Sequence, residues 1–503
     1  MLKFASRSLT WAAMVLLVVT TGGVAQASGQ NAAGPTTKSQ VKKTTKKRKK
    51  TRVAPPLTIV LAAPQNVAPA PQPTAAPAAT AAPVVGESGV PTAPSVSRGA
   101  VSASRSGGVR ILPTGRPGGE AQAAATGLVI SEFRVRGPNG ANDEFIEIFN
   151  ASGAPHTVTS LSGTGYGVAA SDGTTRCSIP NGTVIPNKGH YLCTNSTAYS
   201  LGGNAAGDAT YTTDIPDNVG IALFNNNTGG GSYILTNRLD AVGSTSEANT
   251  LYKEGAGYPA LTPFSIDYSF YRDNCGKQGS ITTFGACPGG GLVQDSANNS
   301  VDFIFVDTNG TSAGAGQRLG APGPENLSSP IERNSTFAVN LLDATVVGPN
   351  PPNRVRDFTS DPANNSTFGT LSIRRRFVNS TGGNVTRLRL RVVDITTFPA
   401  PSGIADLRPR TSSLVVVAGI NDAATCLASN GIATTPCTVS VQGTTLEQPP
   451  SQPNGGGFNS SMSAGTVTLG TPLANGASIN LQFLLGIQQT GSFKFFFNVE
   501  ALP

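Results

Sequence analysis

The sequence predicts an all-β chain, with two immunoglobulin-like β-sandwich domains preceded by a disordered basic and Pro/Ala-rich arm. From residue 127 onward, short strand-like segments alternate with turns rich in Gly, Asn, Ser and Pro. No amphipathic helical stretch of about 12 residues or more interrupts this pattern. Turn residues cluster again between residues 322 and 333, so we place the two sandwiches at 127–330 and 331–503.

The amino terminus predicts export. An apolar run from Leu9 to Val19 follows two basic residues, and Ala25 and Ala27 give the small-residue pattern of a cleavage site. Residues 1–27 are therefore interpreted as a secretory signal peptide. No Cys follows the cleavage site, which argues against a lipid anchor, and no later run reaches the roughly 18 apolar residues that span a bilayer. We expect a secreted protein, located in the periplasm, at the cell surface or outside the cell.

Residues 28–126 predict an arm without a packed core. Residues 38–52 carry nine positive and no negative side chains, and Ala- and Pro-rich sequence with almost no aromatic residues follows. A block of like charges stays extended and is attracted to anionic partners. The residues predicted to form this electrostatic tether are Lys42, Lys43, Lys46, Lys47, Arg48, Lys49, Lys50 and Arg52.

Charge and compartment together predict the partner of the arm. In an exported protein, an anionic envelope polymer, a polysaccharide or phospholipid headgroups fit better than nucleic acid. Residues 127–330 contain nine basic and 17 acidic side chains, which further disfavours nucleic acid. A purely solvated spacer is the alternative for the arm, and a protein partner for the folded domains is left open.

The stretch Gly127–Asn150 places two strand-like runs around a polar turn and resembles the opening hairpin of a bacterial lamin-tail domain. Further segments continue the resemblance in the same order: Thr183–Asn195, Asp214–Asn225, Leu235–Val242 and Gln317–Pro324. The resemblance implies an immunoglobulin-like sandwich that binds partners and has no catalytic constellation of its own. The Gly-rich stretch Tyr252–Ser300 departs from the compact form of the family.

Alternation in the first strand predicts one core face and one solvent face. The predicted core residues are Val129, Phe133 and Val135, and the predicted solvent residues are Glu132, Arg134 and Arg136. The second strand, from Phe145 to Asn150, is apolar on nearly both sides, so we expect it in the centre of its sheet.

The second domain contains enough strand candidates for another immunoglobulin or fibronectin-type sandwich. These are Phe337–Val347, Thr370–Val378, Asn384–Ile395, Ser413–Ile420, Thr438–Leu446, Thr466–Leu469, Ala477–Ile487 and Ser492–Val499.

One strand of this domain carries a basic face. Arg387, Arg389 and Arg391 alternate with apolar residues, and pairing with the strand that contains Arg374–Arg376 would collect guanidinium groups on one solvent face. Such a face could bind a carboxylate, sulfate or phosphate polymer, because Arg presents a fork of donors. The alternative is a solvated face, with partners supplied by Asp394 and Asp406.

All six Cys lie after residue 127, and an oxidising compartment favours disulfides. We predict three local pairs, although other connectivities fit the same sequence. The pairs are Cys177 with Cys193, Cys275 with Cys287, and Cys426 with Cys437. No Cys-x-x-Cys spacing occurs and only two His are present, which disfavours a zinc site.

One catalytic motif occurs without its usual context. Residues 310–314 match G-x-S-x-G after a strand, but the Gly and Pro that follow disfavour a helix, and both His precede Ser312 in the chain. The carboxylates of Asp143 and Glu144 are adjacent in a strand, so they point to opposite faces and cannot flank one bond. We therefore predict no enzymatic activity, no cofactor and no metal site.

Calcium is the one metal considered as an alternative, because several loops offer oxygen ligands. Ordinary Asx turns are favoured over a calcium site for these residues. They are Asn139, Asn142, Asp143, Asp172, Asp214, Asp217 and Asp307.

Taken together, these patterns favour a non-enzymatic exported protein of the cell envelope or extracellular space, which binds or scaffolds partners and is tethered by its basic arm. Two alternatives are kept. One is an accessory module of an extracellular hydrolase, or a cryptic hydrolase. The other is a nucleic-acid-binding protein.

Overall fold

The computed structural model describes residues 125–262, 265–272, 293–450 and 453–503. Within them the chain consists mostly of strands in several sheets, with two short α-helices and a few 3-10 turns. The all-β prediction is confirmed. The predicted signal peptide and the tether from Lys42 to Arg52 lie outside the described residues.

The first half of the described chain contains two main sheets around a hydrophobic core. Its elements are β1 (Leu128–Arg134), β2 (Phe145–Asn150), β3 (His156–Thr157), β4 (Gly165–Ala170), β5 (Thr175–Pro180), β6 (Val184–Ile185), β7 (His190–Asn195), β8 (Ala209–Tyr211), β9 (Ile221–Phe224), β10 (Arg238–Val242), β11 (Tyr268–Arg272), α1 (Asn299–Asp302) and β12 (Phe303–Asp307). One sheet has the order β12-β11-β1-β2-β7-β8, and the other has the order β10-β9-β4-β5. Strands β3 and β6 form a separate two-stranded ribbon.

Strand β1 departs from the predicted alternation because it contains a β-bulge. Its pairing with β2 shifts register between Ile130 and Glu132. Ile130 and Phe133 therefore share the main core, whereas Val129 packs in a separate small cluster. The predicted solvent face is also wrong, because Glu132 is only 3% exposed and Arg134 is fully buried. An extra residue in one strand reverses the side on which the following side chains point.

Strand β2 lies between β1 and β7, and every one of its residues is buried. The prediction of a central strand is therefore confirmed. Burial on both faces also encloses Glu147, an ionisable residue in an otherwise mostly apolar strand.

The second half again contains two main sheets. Its elements are β13 (Ile331–Glu332), β14 (Phe337–Leu341), β15 (Arg354–Asp357), β16 (Thr370–Asn379), β17 (Arg387–Ile395), β18 (Asp406–Arg410), β19 (Val415–Ile420), α2 (Ala423–Asn430), β20 (Cys437–Gly443), β21 (Thr445–Gln448), β22 (Ser461–Ser463), β23 (Ser478–Gln489) and β24 (Phe495–Leu502). A five-stranded sheet has the order β13-β24-β17-β22-β21. A seven-stranded sheet has the order β14-β16-β23-β20-β19, with β15 paired to β16 and β18 paired to β23.

The pairing considered for the arginine strands and one candidate strand of this half are not present in the structure. Strands β16 and β17 do not form a hairpin, because β16 pairs with β23 in one sheet while β17 pairs with β24 in the other. Arg374–Arg376 and Arg387–Arg391 therefore lie in different sheets. The candidate strand Thr466–Leu469 forms turns and bends instead of pairing.

The segment that joins the halves is packed into the protein. Pro322, Gly323, Pro324 and Glu325 are all buried, although their composition predicted a loop between domains. The core of the second half also includes Tyr271, Ile304 and Val306 from strands β11 and β12. The contacts of the described residues accordingly group into a single compact unit.

Two of the predicted disulfides are present in the structure. Cys177 in β5 is bonded to Cys193 in β7, and the bond joins the two sheets of the first half. Cys426 in α2 is bonded to Cys437 at the start of β20. Cys275 and Cys287 lie outside the described residues.

Candidate functional site

A group of buried ionisable side chains lies where the two halves meet, and we call it the interface cluster. Its members come from strands β1, β2, β7, β17 and β24 and from the joining segment. They are Glu132, Glu147, His190, Glu325, Arg389, Arg391 and Glu500, each at most 9% exposed. So much buried charge in one place is unusual, because an ion taken out of water is costly unless it is paired.

Strand register places the members from the first half side by side. Glu132 in β1 is opposite Glu147 in β2, and Phe149 in β2 is opposite His190 in β7. Because alternate residues of a strand share a face, Glu147, Phe149 and His190 point to the same side of the sheet. The ring of His190 packs against that of Phe149 with centroids 5.1 Å apart.

Strands β17 and β24 supply the positive side of the cluster. Arg389 is opposite Glu500 in the register, and Nε of Arg389 donates to Oε2 of Glu500 at 2.6 Å. Nε of Arg391 donates to Oε1 of the same carboxylate at 2.9 Å. One glutamate therefore accepts from both arginines.

The predicted solvent-facing arginine surface is therefore wrong for two of its three residues. Arg389 is 1% exposed and Arg391 is 8% exposed, because their face of the sheet packs onto the first half. Arg387 is the exception, since its side chain is 38% exposed and pairs with Glu447. The partners predicted for this face are also engaged elsewhere: Asp394 pairs with Lys494, and Asp406 pairs with Arg408.

The joining segment completes the cluster. Glu325 forms ion pairs with Arg389 and with Arg391, whose Nη2 atom lies 3.3 Å from Oε2 of Glu325. The backbone N–H of Glu325 donates to Glu147 at 2.6 Å, and that of Gly323 donates to Glu132 at 2.8 Å. The segment is thus fastened to the first half by hydrogen bonds and to the second half by ion pairs.

Glycine at position 323 has a steric reason. A Cβ atom at this position would overlap Nη1 of Arg391 and approach the backbone oxygen of Asn459. The side chain of Asn459 donates to Glu132 at 3.1 Å and to the carbonyl of Ala321 at 3.0 Å. The close approach of the joining segment to strand β17 therefore depends on the missing side chain.

Burial changes the acid–base behaviour of the cluster. It raises the pKa of Glu132, and it raises the pKa of Glu147 well above its usual range, with the neighbouring charge of Glu132 adding to the effect. Burial lowers the pKa of His190 to about 3, so its imidazole is neutral near pH 7. Burial would also raise the pKa of Glu500, but the charges of Arg391 and Arg389 outweigh it and keep that pKa below its ordinary value.

A small pocket opens beside the cluster. Its volume is about 80 Å³, and Glu147, His190, Glu325 and Arg391 are among the residues that line it. Lys188 and Glu332 also line the pocket and pair with each other at 3.3 Å. A buried water needs about 10–15 Å³ of such space, so the pocket has room for an ion with several waters.

A second group of acidic residues lies in the first half, and an arginine already pairs with it. Asp240, Glu254 and Asp295 approach one another, but the guanidinium of Arg272 already binds both oxygens of Asp240 at 2.7 Å. Arg272 also lies 3.5 Å from Asp295. This arrangement is a buried ion-pair network.

The residues considered for calcium are not brought together into one site. Asp143 pairs with Arg134, Asp172 pairs with Arg176, and Asp217 pairs with Arg136. Asp307 forms an Asx turn, in which Oδ1 accepts from the N–H groups of Asn309 and Thr311. No helix follows Ser312 in the described part of the G-x-S-x-G region.

Sequence reasoning assigned no site role to the glutamates of the interface cluster. A signal was present, because Glu147 and Glu500 are single acidic residues within otherwise mostly apolar strands. Such a residue is either on a wet face or buried with a partner, and the local sequence does not distinguish the two. The pairing of residues more than 100 positions apart decides it, as between Arg389 and Glu500.

Comparison with known proteins finds no family model, no curated protein and no solved structure that matches this chain. Among the described residues, no helix combines the length and the apolar character needed to cross a bilayer.

Proposed function

We propose that this chain is an exported, non-enzymatic protein of the cell envelope or extracellular space, in which the basic arm attaches a rigid body to an anionic polymer. The body then presents its loops to a partner. This function combines the arm, the disulfides and the buried interface cluster.

The separation of charge along the chain carries the proposal. Residues 38–52 hold nine basic and no acidic side chains, whereas residues 127–503 hold 21 basic and 26 acidic side chains. The basic runs of the body offer less surface charge than the sequence suggests, because Arg375, Arg389 and Arg391 are buried. The arm is therefore the concentrated positive charge that remains for an anionic partner.

The two disulfides support export as part of this proposal, because such bonds persist mainly in oxidising compartments. The bond from Cys177 to Cys193 also crosses between two sheets within the core. A buried inter-sheet disulfide is a feature of immunoglobulin-type sandwiches. It thus favours an immunoglobulin-like sandwich for residues 127–330, a fold that commonly serves to bind partners.

The interface cluster supports a body that works as one rigid piece. The joining segment is buried, and Glu325 in it forms ion pairs with Arg389 and Arg391 of strand β17. If the body is rigid, attachment through the arm fixes where the loops of both halves lie, which a scaffold requires.

The test is retention on an anionic surface. The eight tether residues from Lys42 to Arg52 are replaced by Gln, and the native and Gln chains are bound to anionic wall or membrane preparations at low and high salt. We expect the native chain to be retained at low salt only, because exposed charges are screened within about 8 Å at physiological ionic strength. The Gln chain should be released at both salt concentrations with an unchanged Tm.

The matched control replaces the six lysines of the tether by Arg. It keeps the charge and changes the side chain, so it should be retained like the native chain. Equal, salt-independent retention of the native and Gln chains would move the attachment to the folded body and overturn the proposal.

A further inference from the structure

Three side chains of the interface cluster converge on one point beside the pocket. One ligand atom from each of Glu147, His190 and Glu325 lies within 4.8 Å of the other two. Nε2 of His190 is 3.4 Å from Oε2 of Glu325 and 3.7 Å from Oε1 of Glu147. The three residues come from strand β2, strand β7 and the joining segment.

The two separations from His190 are close to those between ligands of a small divalent cation. Four-coordinate zinc holds nitrogen and oxygen ligands at about 2.0–2.2 Å, so neighbouring ligand atoms lie about 3.3–3.6 Å apart. One imidazole and two carboxylates form a donor set that suits first-row transition metals. The distances from His190 therefore need to change by only a few tenths of an ångström.

The His190 side chain is directed into the cluster. His190 is only 9% exposed, and its Nε2 atom faces the carboxylates of Glu147 and Glu325. A neutral imidazole can bind a metal ion through this nitrogen. A metal ion between Nε2 and the two carboxylates would therefore have a ligand on each side.

The carboxyl groups of the cluster outnumber its guanidinium groups. Glu132, Glu147, Glu325 and Glu500 bring four carboxyls, whereas Arg389 and Arg391 bring two guanidinium groups, which pair with Glu325 and Glu500. Glu147 has no arginine partner of this kind, so a divalent ion that it binds would favour its ionised form.

We propose that Glu147, His190 and Glu325 bind a divalent first-row transition-metal ion, with Zn²⁺ as the representative, which cross-links strands β2 and β7 to the joining segment. This site goes beyond the tethering function and does not depend on it. The sequence could not show it, because the ligands are separated by 43 and 135 positions in the chain.

The surroundings of the triad supply the outer contacts that such ligands usually have. The hydroxyl of Ser131 and the N–H of Glu325 both donate to the carboxylate of Glu147. Arg391 contacts Oε2 of Glu325. The adjoining pocket of about 80 Å³ leaves room for water in the remaining coordination position.

The experiment uses the full chain, purified without an oligohistidine tag and stripped of metal with EDTA. Binding of Zn²⁺ is measured by isothermal titration calorimetry, with Mn²⁺ and Ca²⁺ as comparison ions. We expect one equivalent of Zn²⁺ to bind and to raise Tm, with Ca²⁺ binding more weakly because imidazole is a poor ligand for it. His190→Ala should weaken the affinity for Zn²⁺ at least about 100-fold, since one of three ligands is lost.

His156→Ala is the matched control, because His156 is the other histidine of the chain and lies outside the triad. It should leave the affinity unchanged. Unfolding of the metal-free proteins shows whether His190→Ala is folded, and His190→Phe, which keeps a ring against Phe149, is the second variant. Absence of Zn²⁺ binding by the native chain, or equal binding by a folded His190 variant, would overturn the proposal.

A measurement on the native chain removes any dependence on the folding of variants. Cu²⁺ is bound in place of Zn²⁺, and pulsed electron paramagnetic resonance detects nitrogen nuclei near the ion. We expect the signal of one imidazole, unchanged in His156→Ala. A spectrum without imidazole nitrogen would exclude His190 as a ligand and contradict the proposed site.

Discussion

Arg391 donates from Nε to Oε1 of Glu500 at 2.9 Å, and these residues are 8% and 4% exposed. The same carboxylate accepts from Arg389 at 2.6 Å. Glu500 therefore holds two buried guanidinium groups that face the first half of the chain. A buried ion pair contributes little beyond an apolar replacement, but removing one partner leaves a costly unpaired charge.

The first prediction is that Glu500→Ala lowers the free energy of unfolding by about 3–5 kcal/mol, the range for a broken buried pair. Glu447→Ala is the matched control. Glu447 pairs with Arg387, whose side chain is 38% exposed, so its loss should cost about 1 kcal/mol or less. Urea denaturation of the two variants and the native chain measures the difference, and similar losses in both variants would contradict the prediction.

The interface cluster also shows how far the sequence predicts this protein. The alternation of Arg and apolar residues in Arg387–Ile395 correctly indicates a strand with a charged face. What covers that face depends on strands distant in the chain, and in the structure it is the first half and the joining segment. Local periodicity gives the face of a strand but not its neighbour, which is why the site was missed.

A second limit is visible in strand β1. Its strand character was predicted from alternating apolar residues, but the bulge between Ile130 and Glu132 exchanges the faces on either side of it. An extra residue in a strand leaves no clear mark on composition. The face of β1 that was predicted to be in solvent is also buried, and Arg134 on this face forms ion pairs with Asp143 and Asp267.

The second prediction concerns pH. Burial raises the pKa of Glu144 to about 8, even though its carboxylate accepts hydrogen bonds from Asn195 and the N–H of Ile215. A carboxyl with a raised folded-state pKa stabilises the fold fully below its unfolded pKa of about 4.5, and this stability is lost as pH rises through about 8. The native chain should therefore lose on the order of 3 kcal/mol from this group between pH 5 and pH 8.

Glu144→Gln tests that prediction, because the amide does not titrate. The variant should lose less stability than the native chain between pH 5 and pH 8. Other buried carboxyls also titrate in this range, so the difference between the two proteins is the quantity to measure. Parallel curves of unfolding free energy against pH would show that Glu144 does not contribute.

The third prediction is that the two disulfides differ in their effect on stability because they lie in different parts of the fold. Cys177 and Cys193 are buried in the core between two sheets, whereas Cys426 and Cys437 join helix α2 to an adjacent strand in a smaller cluster. Replacing the first pair by Ala should lower the global free energy of unfolding by about 3 kcal/mol, the value for a loop of similar length.

Replacing the second pair should mainly release helix α2. Hydrogen exchange is then expected to rise in Ala423–Asn430 while the protection of strand β2 stays unchanged. Peptide mapping without reduction tests the assignments and also the predicted pair of Cys275 with Cys287. A peptide that links Cys177 to any cysteine other than Cys193 would contradict the core assignment.

The last prediction uses the contact between the joining segment and strand β17. Gly323 has no room for a side chain, because a Cβ atom would overlap Nη1 of Arg391, and this guanidinium is held by Glu500 and Asn459. Gly323→Ala should therefore destabilise the protein by about 1–3 kcal/mol, as overpacking does elsewhere. Gly203→Ala is the matched control, since a Cβ atom there meets nothing within 4 Å.

The same substitution tests whether the two halves unfold together. If they do, as the buried joining segment implies, Gly323→Ala lowers the Tm of both halves equally. Two separate transitions, with only one moved by the substitution, would instead mean that the interface cluster does not couple the halves.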